Sequence, residues 1–206
     1  MSTSPKIKIA IASSGLGYIR RGIETWAEDL ARALRHRGQD ATLFQGGGEV
    51  GTTQDHTRVL SSPSRLDPNV KRWVHLLQGV GGWRYGFGSD YQAEQTLFVL
   101  QLWRHIHKDY DILHVQDPLI ALAMDRLHRA HLCRPRVILG HGTEESVEML
   151  QKFTYLQHLA PCYLDDWENH RPHRRHTNHQ EEPRVEDPIG SLLLRCLLRK
   201  GSKVYL

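Results

Sequence analysis

Apolar residues along this chain fall into two textures, short unbroken runs and stretches with helical spacing, and the two alternate. Lys6-Ile-Lys-Ile-Ala-Ile-Ala12 is a compact β-branched and small apolar run, the pattern of a parallel strand buried on both faces. Ile23, Trp26, Ala27, Leu30 and Leu34 then recur at helical spacing, with Gly38 closing the helix at its C-cap. Between them lies Gly15-Leu-Gly-Tyr-Ile-Arg-Arg-Gly22, a glycine-rich turn. A strand, such a turn and a helix in that order bring backbone N–H groups and a positive helix end to one point, which favours a phosphate or another anion.

The alternation continues. Ala41 to Phe44 reads as a second strand ending in Gln45-Gly-Gly-Gly48, so that the first three elements form a right-handed βαβ crossover. Residues 49 to 72 are polar, contain Pro63 and Pro68, and read as a long loop with short pieces of structure. Trp73, Leu76 and Leu77 predict a short helix before Gly79-Val-Gly-Gly82, and Tyr85-Gly-Phe-Gly88 follows as an open aromatic loop. A long helix is predicted from Asp90 through Leu97, Leu100, Trp103 and Ile106. Asp111 to Val115 is a strand, and Pro118 then opens a helix with Asp117 as its N-cap. Arg136 to Leu139 is another strand, leading into His141-Gly-Thr-Glu-Glu145 and a helix that places Glu144 and Glu145 in its first turn. Tyr155 to Leu159 reads as a last strand and Pro161 to Trp167 as a short helix. The series predicts an α/β fold, a doubly wound, Rossmann-like parallel sheet over residues 1–167.

The texture changes at Trp167. Glu168 to Gln180 has almost no apolar residue and is expected to be disordered, while Ile189 to Leu206 contains enough leucine for one short amphipathic helix. Residues 168–206 therefore read as a His- and Arg-rich tail. Its histidines at 170, 173, 176 and 179 recur every third residue, yet a disordered tail does not preorganise ligands, so no metal site is assigned.

Composition narrows the picture modestly. A chain of 206 residues, 39% hydrophobic and 24% charged, has room for one α/β core. A formal charge of +4 fits anionic ligands or membrane surfaces without demanding nucleic acid. Cys133, Cys162 and Cys196 are too few and too far apart for a CxxC metal site or a disulfide framework. The N-terminus lacks the apolar run of a signal peptide and no stretch reaches bilayer-spanning length, so the expected location is cytoplasmic, with peripheral membrane contact left open for the tail.

In a doubly wound sheet, ligands collect beyond the C-terminal ends of the strands. Three segments are predicted there: Gly15 to Glu24, Gln116-Asp117, and His141 to Glu145. Gly15, Gly17 and Gly22 do not make the dinucleotide fingerprint, and no Walker lysine follows. Arg20 and Arg21 could instead neutralise a phosphate or hold acceptor hydroxyls, or simply be solvated. His141 is the candidate catalytic residue, since imidazole exchanges a proton near neutral pH and carboxylates follow it. Glu24, Asp117, Gly142, Thr143 and Glu144 complete the candidate substrate- and phosphate-binding set, although Asp117 as a helix cap needs no function.

Taken together, Gly15-Leu-Gly-Tyr-Ile-Arg-Arg-Gly-Ile-Glu-Thr-Trp26 with Ala27-Glu-Asp-Leu-Ala31, Asp111 to Asp117, His141 to Glu144, and Leu159-Ala-Pro161 resemble the N-terminal domain of a GT-B glycosyltransferase of family 4, over about residues 6 to 165. The resemblance implies transfer of a sugar from a nucleotide-sugar to an acceptor hydroxyl, without a metal or other cofactor. It implies an acceptor-binding role for this domain, a first loop that approaches the donor diphosphate, and a place for His141 near the transferred sugar. The expected partners are an acceptor sugar or a glycosylated or lipid-linked acceptor, with no specific nucleic acid. In place of a donor-binding domain stands the tail, which reads as a shifted reading frame, a truncation or a genuinely short family member, so the chain is expected to be an acceptor-side half, inactive alone or dependent on a partner chain that brings the donor domain. Two other readings remain open. One is a stand-alone Rossmann-like module for a phosphorylated ligand; the other is an interaction protein using its basic C-terminal segment.

Overall fold

The computed structural model describes residues 6–48, 53–54, 56–78, 81–82, 86–142 and 145–170. They fall into two compact units, divided along the chain between Leu139 and Gly140.

The first unit is built on the strands β1 (Lys8–Ser13), β2 (Asp40–Gln45), β3 (Thr53–Gln54), β4 (Thr57–Val59), β5 (Ile112–Val115) and β6 (Arg136–His141), whose last two residues enter the second unit. The sheet order is β3-β4-β2-β1-β5-β6. Every pairing from β4 to β6 is parallel, and only β3 pairs antiparallel, with β4. The winding therefore runs outward from β1 through β2 to β4, then returns to β1 and proceeds through β5 to β6. This reversal is what makes the fold doubly wound, and it puts the switch point, where such sheets take their ligands, beyond the C-terminal ends of β1 and β5. The core strands are buried on both faces, as the apolar runs require: Ile9, Ala10, Ile11 and Ala12 are all essentially inaccessible.

Among the described residues this unit has the helices α1 (Gly22–His36), α2 (Pro68–Gln78), α3 (Asp90–Ile106) and α4 (Pro118–Arg129). Helix α1 buries Ala27, Leu30, Ala31 and Leu34, and Gly38 ends it at φ +75, a conformation that glycine adopts freely. The polar stretch from 49 to 72 holds short pieces of structure: β4 pairs with β2 through Leu43, Phe44 and Gln45, and Pro68 is the first residue of α2. The apolar face of α3 is rotated from its predicted position: Leu100 is exposed, and Phe98, Leu102 and Ile106 are buried together with Glu94 and Gln95.

The second unit contains the end of β6, then α5 (Val147–Leu150), β7 (Tyr155–His158) and α6 (Pro161–His170). The Leu159 N–H donates to the His141 carbonyl at 2.9 Å, which holds the end of β7 to the end of β6. Helix α5 is one turn long, so the expectation that Glu145 lies in its first turn is corrected: Ser146 is the N-cap, and Glu148 is the acidic residue inside. Helix α6 continues through Trp167, which is buried, to His170. The histidines at 173, 176 and 179, Cys196 and the proposed terminal helix lie outside the described residues. No helix among the described residues is long and apolar enough to cross a membrane.

Candidate functional site

The loop after β1 is shaped by glycine. Gly17 has φ +89, and a Cβ there or on Gly47 would collide with the backbone of the other. The loops after β1 and β2 thus cross at backbone distance, tied by Gly47 N–H to the Leu16 carbonyl at 2.8 Å. Side chains cannot enter such a crossing. Substituting Gly47 by Val is expected to lower stability by about 2 kcal/mol or more, because one of the two loops must move; equilibrium urea unfolding measures this.

Next to the crossing, a polar network fills the rim between β1 and β5. Ser14 follows β1 directly, and its N–H donates to Asp117 Oδ2 at 3.0 Å while its hydroxyl donates to Glu94 Oε1 at 3.0 Å. The Tyr91 hydroxyl donates to Asp117 Oδ1 at 2.7 Å. Glu94 also receives the Arg65 backbone N–H at 2.8 Å and two guanidinium bonds, at 3.0 and 2.6 Å. The Arg65 guanidinium lies 4.0 Å from the centre of the Tyr91 ring and Arg21 lies 5.9 Å from it, so two cations approach one phenol.

Glu24 closes the network on the α1 side. Its carboxylate accepts the Arg21 N–H at 3.1 Å and the Arg21 guanidinium at 2.8 Å, forming a capping box at the helix N-terminus. Gly15 lies so close that a Cβ would strike Glu24 Oε1. An internal carboxylate therefore already serves part of the positive helix end that the sequence offers to an external anion. Arg20 and Gly22 are exposed beside it.

Three carboxylates, Glu24, Glu94 and Asp117, are each 1% exposed or less here, against the two guanidinium groups of Arg21 and Arg65. Burial pushes the Asp117 carboxyl above the usual carboxylate range, opposed by the bonds from Ser14 and Tyr91. Burial and the Asp117 charge raise Tyr91 as well, so the phenol keeps its proton and acts as a donor. Asp117 does occupy the N-cap position of α4 with Pro118 next to it, but its side chain makes no capping bond. It is spent on Ser14 and Tyr91 instead, so the reading of Asp117 as a simple cap is corrected.

His141 lies in the second unit. Its Nδ1 is 3.0 Å from His158 Nδ1, the two rings meeting edge to face, and Tyr163 packs against it with 4.9 Å between ring centres. The Tyr163 hydroxyl donates to the Gly142 carbonyl at 3.0 Å. Across a bond between two Nδ1 atoms one imidazole donates and the other accepts, so two imidazolium rings cannot share it. Burial first, and the neighbouring His141 second, push His158 down to about 4. A depressed folded value means that the unfolded chain takes the proton first. The contribution of His158 is thus present above pH about 6.5 and is lost as pH falls from there towards its folded value. Urea midpoints at about pH 7.5 and about pH 5 should differ more for the wild type than for His158→Gln. Thr143 and Glu144 lie outside the described residues.

The structure thus brings together Gly15, Arg21, Glu24 and Asp117 in the first unit, and pairs His141 with a histidine in the second. Sequence reasoning missed Ser14, Arg65, Tyr91, Glu94 and His158. The available signal was Tyr91, Glu94 and Gln95 at helical spacing, a polar stripe on one face of α3. Among the described residues no group of three or more His, Cys, Asp or Glu could hold a metal ion.

The sequence profile of Glycosyltransferase Family 4 matches residues 20–180. The chain belongs to that family. The match takes in α1 and every later element up to α6, with Arg21, Glu24, Asp117 and His141 inside it. No curated protein matches the sequence.

Proposed function

We propose that this glycosyltransferase-family chain is the acceptor-side half of a GT-B enzyme that moves a sugar from a nucleotide-sugar to an acceptor hydroxyl. The observation that carries the reading is the polar network at the switch point, which combines a glycine-shaped loop, two arginines and buried carboxylates where α/β sheets take their ligands. In this reading the loop from Gly15 to Gly22, with Arg20 and Arg21, faces the acceptor and the donor diphosphate. His141, with Gly142, Thr143 and Glu144, faces the transferred sugar. Stabilisation of the leaving diphosphate falls to backbone N–H groups and cations rather than to a metal. The donor half comes from a second domain or a partner chain, in the cytoplasm, and the acceptor is a sugar or a glycosylated or lipid-linked molecule.

Titration calorimetry of the 206-residue chain with common nucleotide-sugars tests this. The expected result is no saturable binding at micromolar concentration and no sugar transfer; clear micromolar binding contradicts the acceptor-half assignment. Exposed Arg20 beside the α1 N-terminus supports a second reading, a module for a phosphorylated ligand. Tight binding of a sugar phosphate that lacks the nucleoside decides in its favour.

A further inference from the structure

At the end of the sheet away from the switch point, β6 begins at Arg136, and α3 and α4 arrive there by their C-termini, at His107 and Ala130. A cleft of about 780 Å³ opens at this end, wholly within the first unit. Among the described residues that line it, seven of nine are Lys, Arg or His, and none is Asp, Glu, Phe, Tyr or Trp. The end of α3 contributes His107 and Lys108, and the end of α4 contributes His128 and Arg129. The chain between α4 and β6 adds His131 and Arg134.

The cleft is preformed, because hydrogen bonds join its walls. The Arg134 N–H donates to the His107 carbonyl at 2.8 Å, and the Arg136 N–H donates to the Asp111 carbonyl at 3.0 Å. The Trp103 indole N–H donates to the Leu132 carbonyl at 3.1 Å. The Arg134 guanidinium is held by Asp111 Oδ1 and by the Lys108 carbonyl, bonds that take two of its five N–H donors. Asp111 and Asp125, the carboxylates that pair with Arg134 and Arg129, are not in the lining.

Helix C-termini attract cations on their own account, as roughly half a negative charge each. That accounts for His107 and His128, whose Nδ1 atoms donate to the Trp103 and Cys133 carbonyls. It does not account for His131. This residue stands at φ 61, the left-handed conformation in which glycine commonly ends a helix, and the Leu132 N–H closes the turn on the Leu127 carbonyl at 2.9 Å. An imidazole kept in that conformation costs stability, and a task in the cleft is the reason to keep it.

We propose that this cleft binds a small molecule carrying two or more linked phosphate groups. Cations that converge from two helix ends and the chain between them suit several closely spaced negative charges, and guanidinium and ammonium groups are apt partners for phosphate oxygens. A single-stranded nucleic acid stacks on aromatic side chains and a bilayer takes up exposed apolar ones; beyond Leu132 the lining offers neither. The two helices that end at the cleft begin at the polar network, with Tyr91 on α3 and Asp117 just before α4. The inference does not rest on the transferase reading.

The test is calorimetric titration of the 206-residue chain with sodium tripolyphosphate, and separately with orthophosphate, at about 0.15 M salt, where diffuse charge attraction is screened. Saturable one-site binding of tripolyphosphate is expected, about tenfold or more tighter than that of orthophosphate and weakened about tenfold or more by Lys108→Glu. Lys108 is exposed, so this change keeps the fold, as the melting temperature will show. His131→Gly is the second arm. Glycine suits the left-handed position, so the melting temperature should hold or rise while binding weakens about threefold or more. Arg72→Glu, on the distant helix α2, should bind as the wild type does. Absence of saturable binding overturns the proposal, and so does equal binding by Lys108→Glu. A loss with Arg20→Glu but not with Lys108→Glu overturns it too, and moves the anion to the α1 N-terminus. Binding of a short oligothymidylate without binding of tripolyphosphate overturns it in favour of nucleic acid. No sugar donor or acceptor enters this readout, so its failure leaves the transferase reading to the nucleotide-sugar titration.

Discussion

Replacing Arg65 by Ala should cost the chain about 3–5 kcal/mol of stability, the largest effect expected from any single substitution in the polar network. Glu94 is completely inaccessible, and its two oxygens take four hydrogen bonds, two of them from the Arg65 guanidinium. Removing that guanidinium leaves a buried carboxylate with only Ser14 and one backbone N–H. It also strips the cation from the face of Tyr91, whose hydroxyl is held by Asp117. The damage is mostly the penalty of an uncompensated charge, so neutralising the partner should relieve it. Arg65→Ala combined with Glu94→Gln is expected to be more stable than Arg65→Ala alone, with a coupling of about 1 kcal/mol or more. Urea unfolding of the wild type, both single variants and the double variant gives the cycle. Simple additivity would mean that the pair does not act as a unit.

Asp117→Ala should lower stability by about 2–4 kcal/mol, by a different route. The carboxylate is the acceptor for both the Ser14 N–H and the Tyr91 hydroxyl, and alanine leaves a buried and a half-buried donor without it. The variant should also change the pH response. Because burial raises the carboxyl's pKa in the folded chain, protonation is easier there than in the unfolded chain. Its contribution is then fully present below the ordinary carboxylate value near pH about 3.9 and diminishes as pH rises through the folded value. Unfolding midpoints measured from acid to neutral pH should show this slope in the wild type and not in Asp117→Ala. An unchanged slope would remove Asp117 as its source.

The sheet was readable because parallel strands must be apolar on both faces; β1 and β6 show this as runs of apolar residues, and β5 as a run broken only by His114. Strand β4 was not readable. It has three residues, two of them Thr57 and Arg58, and owes its place to pairing with β2 rather than to its own pattern. The network escaped for a related reason. Glu94 and Gln95 look like solvent-facing residues until α3 is known to turn that side inward, towards Ser14 and Leu119, whose backbone N–H donates to Gln95 Oε1 at 2.9 Å. Arg65 lies in a segment with no periodicity at all, and its partner is a contact across 29 residues. Gly15, Glu24 and Asp117 were legible as positions at strand ends, but their bonds to Arg21, Ser14 and Tyr91 depend on a topology that one-dimensional spacing does not encode. His158 illustrates the same limit, being one of four buried residues in a short strand, with its chemical meaning given only by His141.

The claim on which the account depends is that the switch point beyond β1 and β5 receives the acceptor. Backbone amide chemical shifts followed by two-dimensional NMR during titration with simple alkyl hexosides test it most directly. The account predicts saturable shifts of the Ser14, Gly15, Tyr18, Arg20 and Asp117 amides. Saturable shifts confined to other parts of the first unit, with those amides unmoved, would contradict it.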